Sequence, residues 1–191
     1  NILVPRISQW LHKVKYWERF EGLCRILSHH QPELALIFCQ TKRDVDELYR
    51  QLHERGYKVD ALHGDYSQNQ RDQVMQKFRN HELDLLIATD LAARGIDSKL
   101  DMVVNYNVPE NPETYVHRIG RTGRAGREGL AISFVSPEDY RQLYAIEKLI
   151  KTRLQYRDLP TREELKSHRQ DFLQKRIDDG IKDVESADYV E

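Results

Sequence analysis

The chain has 191 residues, with 30 Lys and Arg against 31 Asp and Glu, a formal net charge of −1 at pH 7. With 39% hydrophobic and 32% charged residues it suits a globular fold and excludes a polycation of the histone kind, while leaving room for a local basic face. No stretch approaches the ~18 apolar residues of a membrane span, and two cysteines, Cys24 and Cys39, are too few for a disulfide framework or a Cys-rich metal site, so a reducing cytoplasm is expected.

The opening residues, Asn1 to Arg6, have no signal-peptide pattern and no initiator Met, as in a piece of a longer chain. Phe20, Leu23, Cys24 and Leu27 recur at helical spacing and predict a helix over about 17–30. Leu34 to Phe38 is a short continuous apolar run, the pattern of a strand buried on both faces. Val45, Leu48, Tyr49 and Leu52 form the next helical stripe, with Gly56 as its stop. Tyr57 to Leu62 reads as a strand. Ser67 and Gln70 form a capping box that opens a helix carrying Val74, Met75 and Phe78. Leu83 to Ala88, Asp101 to Tyr106 and Leu130 to Val135 complete five predicted strands. Asn111-Pro112 and Ser136-Pro137 each pair an N-cap residue with proline at the first helical position.

Strands alternating with helices, and apolar almost throughout, predict an α/β fold with a three-layer parallel sheet and helices on both faces. Ligands of such sheets bind beyond the carboxyl ends of the strands. The residues expected there are Gln40-Thr41-Lys42, His63-Gly64-Asp65, Thr89-Asp90, Asn107-Val108-Pro109 and Ser136, a polar rim suited to phosphate.

His117 to Arg127 is the most informative segment, with Arg118, Arg121, Arg124 and Arg127 separated by small residues. Arg118, Arg121 and Arg124 stand three apart, so a continuing helix would project them from one face. Glycines at 120, 123, 126 and 129 would each cost a solvent-facing helix about 1 kcal/mol relative to alanine, which argues for a function over a merely solvated face. Guanidinium is planar, always charged and bidentate, the group suited to phosphoryl oxygens. In a second segment, Leu86 to Asp97, a buried strand runs into a polar loop. Thr89 at its end can meet a phosphate oxygen, and Asp97 can accept from a ribose hydroxyl or pair locally with Arg94.

These segments together resemble the DEAD-box family of superfamily 2 RNA helicases, specifically the C-terminal of its two RecA-like domains. Phe38-Cys39-Gln40-Thr41-Lys42 is similar to motif IV, and Gln68 to Arg71 matches the Q-x-x-R of motif IVa. Thr89-Asp90 to Asp97 matches motif V, and Val104 to Pro109 the segment after it. His117 to Arg124 matches the H-R-I-G-R-x-G-R of motif VI without a departure. The resemblance covers about residues 7–155.

The resemblance implies a RecA-like fold and a role for each matched position. Arg121 and Arg124 would be arginine fingers on the γ-phosphate of an ATP held mainly by another domain, a device worth ~10³–10⁵ in rate. Gly95 and Asp97 would contact the nucleotide. Thr41, Gly64, Gln68, Arg71 and Thr89 would hold the backbone of RNA, single-stranded or entering as a duplex. Arg94, His117 and Arg118 would face the partner domain or order neighbouring motifs. The chain has no G-x-x-x-x-G-K-[ST] and no Asp-Glu-Ala-Asp, so the family's N-terminal RecA-like domain is expected to hold the β-phosphate and Mg²⁺, and the fragment is expected to be inactive alone. A non-catalytic RNA- or protein-binding module that keeps only this domain is the alternative.

The remaining features read more plainly. The eight histidines have no metal-ligand spacing, and no metal site is expected. Trp10, Tyr16, Trp17 and Phe20 are read as packing a first strand and helix onto the sheet rather than stacking bases. Leu159-Pro160 divides a helicase domain, 1–160, from an acidic extension, 161–191. The extension holds six Lys and Arg against nine Asp and Glu, a net −3 that leaves +2 on the domain. Thr161 to Glu164 is a capping box; the helix it opens is expected to stop at Gly180, with an unstructured acidic end from 183. This helix is read as lying back on the domain, with homodimerisation through it as the other outcome.

Overall fold

The computed structural model describes residues 6–96, 100–123 and 128–187. Among them seven strands are seen: β1 (Ile7–Lys13), β2 (Ala35–Phe38), β3 (Val59–Leu62), β4 (Leu85–Ala88), β5 (Met102–Asn105), β6 (Gly129–Val135) and β7 (Gln155–Tyr156). The helices are α1 (Arg19–His30), α2 (Lys42–Glu54), α3 (Gln68–Arg79), α4 (Pro112–Ile119), α5 (Tyr140–Ile150) and α6 (Arg162–Ala187). All strands pair in parallel in the order β3-β4-β2-β5-β6-β1-β7, the parallel sheet that the alternation predicted and the RecA-like one that the resemblance implied. No helix among the described residues is long and apolar enough to cross a membrane.

The five strands predicted from continuous apolar runs are present, because a central parallel strand is covered on both faces. The side chains of β2, β4 and β5 are all buried. One face carries Leu36, Phe38, Leu86 and Val103 against Val74 and Phe78 of α3. It continues through Ala131 and Leu11 to Tyr115, Ile119, Leu143 and Ile146 of α4 and α5. The opposite face bears Ile37, Ile87, Val104 and Ile132, equally buried, and α2 packs along β3 and β4. β1 pairs with β6 over its whole length, from Ile7 opposite Gly129 to Lys13 opposite Val135. Its Ser8, Gln9 and His12 break any apolar run, and β7 has only two residues, so neither carries the pattern that marks the other five.

Three of the predicted N-caps form as read, whereas Ser136 opens a 3₁₀ turn, Pro137–Asp139, before α5, with its amide and hydroxyl both donating to Asp139. Ser67 Oγ accepts from the Gln70 amide while the Gln70 side chain accepts from the Ser67 amide. Asn111 Oδ1 accepts from the Glu113 amide, and Thr161 and Glu164 close a reciprocal box. Gly56 stops α2 with φ at +85°.

Two expectations are corrected. Tyr16 and Trp17 do not pack on the sheet: they lie in a 3₁₀ turn, Tyr16–Glu18, at 65% and 76% exposure. The final helix does not stop at Gly180 but runs to Ala187. A glycine ends a helix by taking a left-handed conformation, and Gly180 does not adopt one, so it stays inside the helix at the modest cost of its missing side chain.

The described chain forms two compact units. One joins the segment up to Phe20 with Pro32–Asp158 and contains the whole sheet; the other comprises Glu21–Gln31 and the chain from Leu159 onward.

Two glycines give opposite predictions. A Cβ at Gly129 would stand 2.5 Å from the Gly123 amide nitrogen and 2.6 Å from Thr122 Oγ1. Gly129→Ala should therefore lower stability by about 1–3 kcal/mol, read as a lower urea midpoint. A Cβ at Gly180 meets nothing within 4 Å. Gly180→Ala should raise helicity in far-UV circular dichroism and stabilise the helix by up to about 1 kcal/mol.

Candidate functional site

The expected rim forms at the carboxyl ends of β3, β4 and β2, which are adjacent in the sheet. Thr41 is the N-cap of α2, its Oγ1 accepting from the Asp44 amide at 3.1 Å. Its hydroxyl proton remains available to a ligand. Gly64 follows β3 beside the Lys42 stem, and Lys42 pairs with Asp65 at 2.7 Å. That ammonium holds the exposed Asp65 carboxyl below its usual range. His63 ties the loop to α2: its Nδ1 lies 3.2 Å from the Asp65 amide and its Nε2 2.9 Å from the Asp46 carboxylate. Gln68 and Arg71 open α3 on the same edge, and the Gln68 amide donates to Asp72. Thr89 is half-buried at the end of β4. Cys39 is fully buried beside this edge, and burial pushes its thiol pKa well up, as expected of a core residue.

The arginine segment is arranged differently from its expectation. α4 ends at Ile119 with Gly120 as C-cap, so Arg118, Arg121 and Arg124 do not share a helical face. Arg118 turns inward and is 2% exposed. Its Nε and Nη2 form a fork on Asp90 at 2.6 and 2.8 Å; its Nη1 donates to Asn105 Oδ1 at 3.2 Å and to the Asn107 carbonyl at 2.8 Å. The guanidinium also lies 5.1 Å from the centre of the Phe38 ring, and Asn105 in turn donates to Ser133 Oγ at 3.0 Å. Sequence reading missed Asn105, although an asparagine inside a buried Val-Val-Asn strand is a signal, because a buried amide needs a partner.

Arg121 is half-buried and donates to the Ile96 carbonyl at 3.1 Å. Thr122 donates to the Leu100 carbonyl at 2.6 Å, and a bridge joins Leu100 to Thr122 just before β5 begins. A Cβ at Gly123 would meet Ile7 at the start of β1 at 2.7 Å. The segment 120–123 thus lies toward the amino ends of the strands, away from the carboxyl rim. Arg118 alone of the described arginines in this segment reaches back to that rim. His117 is exposed. Arg124 and Asp97 lie outside the described residues.

The loop after β4 connects the two regions. Ala92, Ala93 and Ile96 are buried in the core beside Phe38, Leu62 and Leu86, and they pin the loop as it crosses the sheet. Arg94 is exposed, and its carbonyl accepts from Arg71 at 2.6 Å. Gly95 has φ +79°, with open space where a side chain would be. Arg71 therefore holds one side of Gly95 and Arg121 the other. Such a loop offers ligands backbone groups, a glycine open to close approach and two guanidinium groups. Among the described residues no three His, Cys, Asp or Glu side chains gather as a metal would require.

Comparisons with known proteins bear on this arrangement. The family profile described as the helicase conserved C-terminal domain matches residues 18–126. An ATP-dependent RNA helicase, CshA of Listeria monocytogenes, is 45% identical over 184 residues, covering 96% of this chain and 35% of its own length. The C-terminal domain of the DEAD-box protein Dbp5 superposes with a TM-score of 0.78 at 34% identity, over 86% of this chain and 97% of that one. Dbp5 of S. cerevisiae bound to RNA and ADP BeF3 gives a TM-score of 0.77 at 35% identity, over 84% of this chain and 44% of that one. The chain spans about a third of the length of the curated relatives it matches.

The two inner arginines should separate in a stability assay. Arg118→Ala removes four hydrogen bonds and orphans the buried Asn105 Oδ1; urea unfolding should show a loss of about 2–4 kcal/mol. Arg121→Ala removes the hydrogen bond of a half-buried guanidinium to the Ile96 carbonyl and should cost less, about 1 kcal/mol.

Proposed function

This chain belongs to the helicase conserved C-terminal domain family on its DEAD-box branch, and from that membership we propose that it is the C-terminal motor half of an ATP-dependent RNA helicase that unwinds short RNA duplexes or remodels RNA–protein assemblies. Its working division is a helicase domain at 1–160 and an extension at 161–191. The observation that carries the reading is the contact of Arg121 with the Ile96 carbonyl, which sets motif VI against the Gly95 turn of motif V.

In this reading Arg121 and Arg124 are catalytic. Their guanidinium groups would stabilise charge on the equatorial oxygens of the departing γ-phosphoryl group. Gly95 would admit the nucleotide close to the backbone, and Asp97 would accept from its ribose. Arg118 is a positioning residue: buried and fully engaged, it holds α4 so that Arg121 emerges at the right point. Arg94 and His117, both exposed, would face the N-terminal RecA-like domain of the whole protein. That domain would hold the Mg²⁺ that accompanies ATP.

Thr41, Gly64, Gln68, Arg71 and Thr89 would hold RNA by its sugar–phosphate backbone. A rim of hydroxyls, amides and one guanidinium has no groove-reading element, so it would discriminate RNA by shape and 2′-hydroxyl rather than by sequence. ATP and RNA would each bridge two domains, so binding both favours the closed form, which delivers the arginines to the phosphate. A cytoplasmic place of work is the reading supported by the two buried cysteine thiols, Cys24 and Cys39.

Of the two readings of the extension, lying back on the domain or homodimerisation, its exposed apolar stripe favours a homodimer. Leu173, Ile177 and Ile181 recur four apart along α6, and each is more than half exposed. A stripe of that spacing is one side of a helix–helix seam.

Four outcomes are expected. In the two-domain protein, Arg121→Ala should lower kcat by about 10³-fold or more while sparing nucleotide-free RNA affinity, whereas Arg71→Ala should weaken binding to unrelated RNA sequences alike and flatten its salt dependence. The 191-residue chain alone should show no RNA-stimulated ATP hydrolysis; turnover by it would overturn the split site. Light scattering should give the chain a dimer mass and Ile177→Lys a monomer mass, and a monomer for both would remove the dimer.

A further inference from the structure

Trp17 is 76% exposed and Tyr16 65%. Large aromatic side chains left in water beside a concave surface mark interaction sites, because they bring much contact area with few rotatable bonds. A pocket of about 260 Å³ opens between this turn, the first half of α2 and the exit of β5. Its walls carry four aromatic rings, Tyr16, Trp17, Phe20 and Tyr106, and two carboxylates, Asp44 and Glu47. Among the described residues no Lys or Arg lines it.

The charged residues that line the pocket itself have one sign. Aromatic faces are electron-rich and attract cations, and carboxylates add full negative charge. The rings of this cluster already take cations from the chain itself: Lys15 lies 5.3 Å from the Trp17 centroid, Arg19 4.9 Å from Tyr16 and Arg55 5.1 Å from Phe20. Asp44 and Glu47 would repel a phosphate, so the pocket suits nucleic acid poorly although it lies one helical turn from Thr41 on α2. Its volume is below the ~300–1,000 Å³ of sites for drug-sized ligands and fits a single side chain better.

We propose that this pocket is a docking site for a segment of a partner protein that inserts an arginine or lysine side chain between the rings, against Asp44 and Glu47. Apolar residues flanking the cation would cover the exposed face of Trp17. Because the pocket is lined by none of the residues proposed for RNA, the partner and RNA can bind together.

The test is binding of the 191-residue chain to an array of hexapeptides in which one central position is varied among apolar neighbours. Arginine or lysine should be selected there, and replacing the arginine by uncharged citrulline should lower affinity about tenfold or more. Trp17→Ala and Glu47→Lys, both exposed and outside the RNA and nucleotide sets, should lose the same peptides while keeping the thermal midpoint and oligo(U) affinity of the parent. Asp44→Asn, which keeps shape and helix-capping geometry, should weaken binding in the same direction. Selection of a neutral or acidic centre, no selection above background, or loss of oligo(U) binding in Trp17→Ala would each overturn the proposal; the last would assign the turn to RNA.

Discussion

One buried cation organises the functional half of this domain. Arg118 comes from the last turn of α4 and spends four hydrogen bonds on three other segments: the exit of β4 through Asp90, the buried strand β5 through Asn105, and the loop after it through Asn107. A guanidinium that is 2% exposed is tolerable only when its donors are met, and here the planar fork meets a carboxylate, an amide oxygen and a carbonyl. Its partner Asp90 keeps access to water, so the pair is less costly to assemble than two fully buried charges. A lysine could not reproduce this geometry, having no fork. The end of α4 is tied by this contact to the exits of β4 and β5.

That constraint separates the two proposed ligand sets while keeping them connected. The residues proposed for RNA lie at the carboxyl ends of β3, β4 and β2, whereas Arg121 emerges toward the amino ends of the strands. Residues 89–96 run between them, pinned by Ala92, Ala93 and Ile96 in the core. Arg71, of the RNA set, grips the carbonyl before Gly95, and Arg121, of the nucleotide set, grips the carbonyl after it. Gly95 has the backbone freedom to adjust between them. A displacement at one grip has a path of two residues to the other, which is a physical basis for coupling the two proposed ligand sets.

Much of the fold was legible because parallel strands covered on both faces have to be apolar at every position, and because caps are local chemistry. Leu34 to Phe38 and Leu83 to Ala88 needed no partner to be read as strands, and Ser67-Gln70 closes its box within four residues. β1 was less legible, since its alternation of Ser8, Trp10 and His12 resembles a surface segment until β6 is known to lie beside it. Trp17 was misread for the converse reason: hydrophobicity predicts burial only on average, and an exposed indole depends on what the turn after β1 faces. At Gly180 a residue type was taken as a stop, but the stop is a backbone conformation, which a glycine permits without requiring.

The site divides the same way. The order and spacing of motifs, from Phe38-Cys39-Gln40-Thr41-Lys42 to His117-Arg124, were enough to identify the family, because each motif is a short run whose chemistry is written in consecutive residues. Sequence also established which guanidinium, glycine and hydroxyl groups were present. It did not establish which arginine turns inward. Arg118 and Arg121 have similar neighbours in the chain, and only the meeting of α4 with Asp90 and Asn105, 28 and 13 residues distant, makes one a buried strut and leaves the other at the loop. Local chemistry travels with the chain; burial, partnership and direction are properties of the packed whole, because they are decided by groups that the chain brings together only on folding.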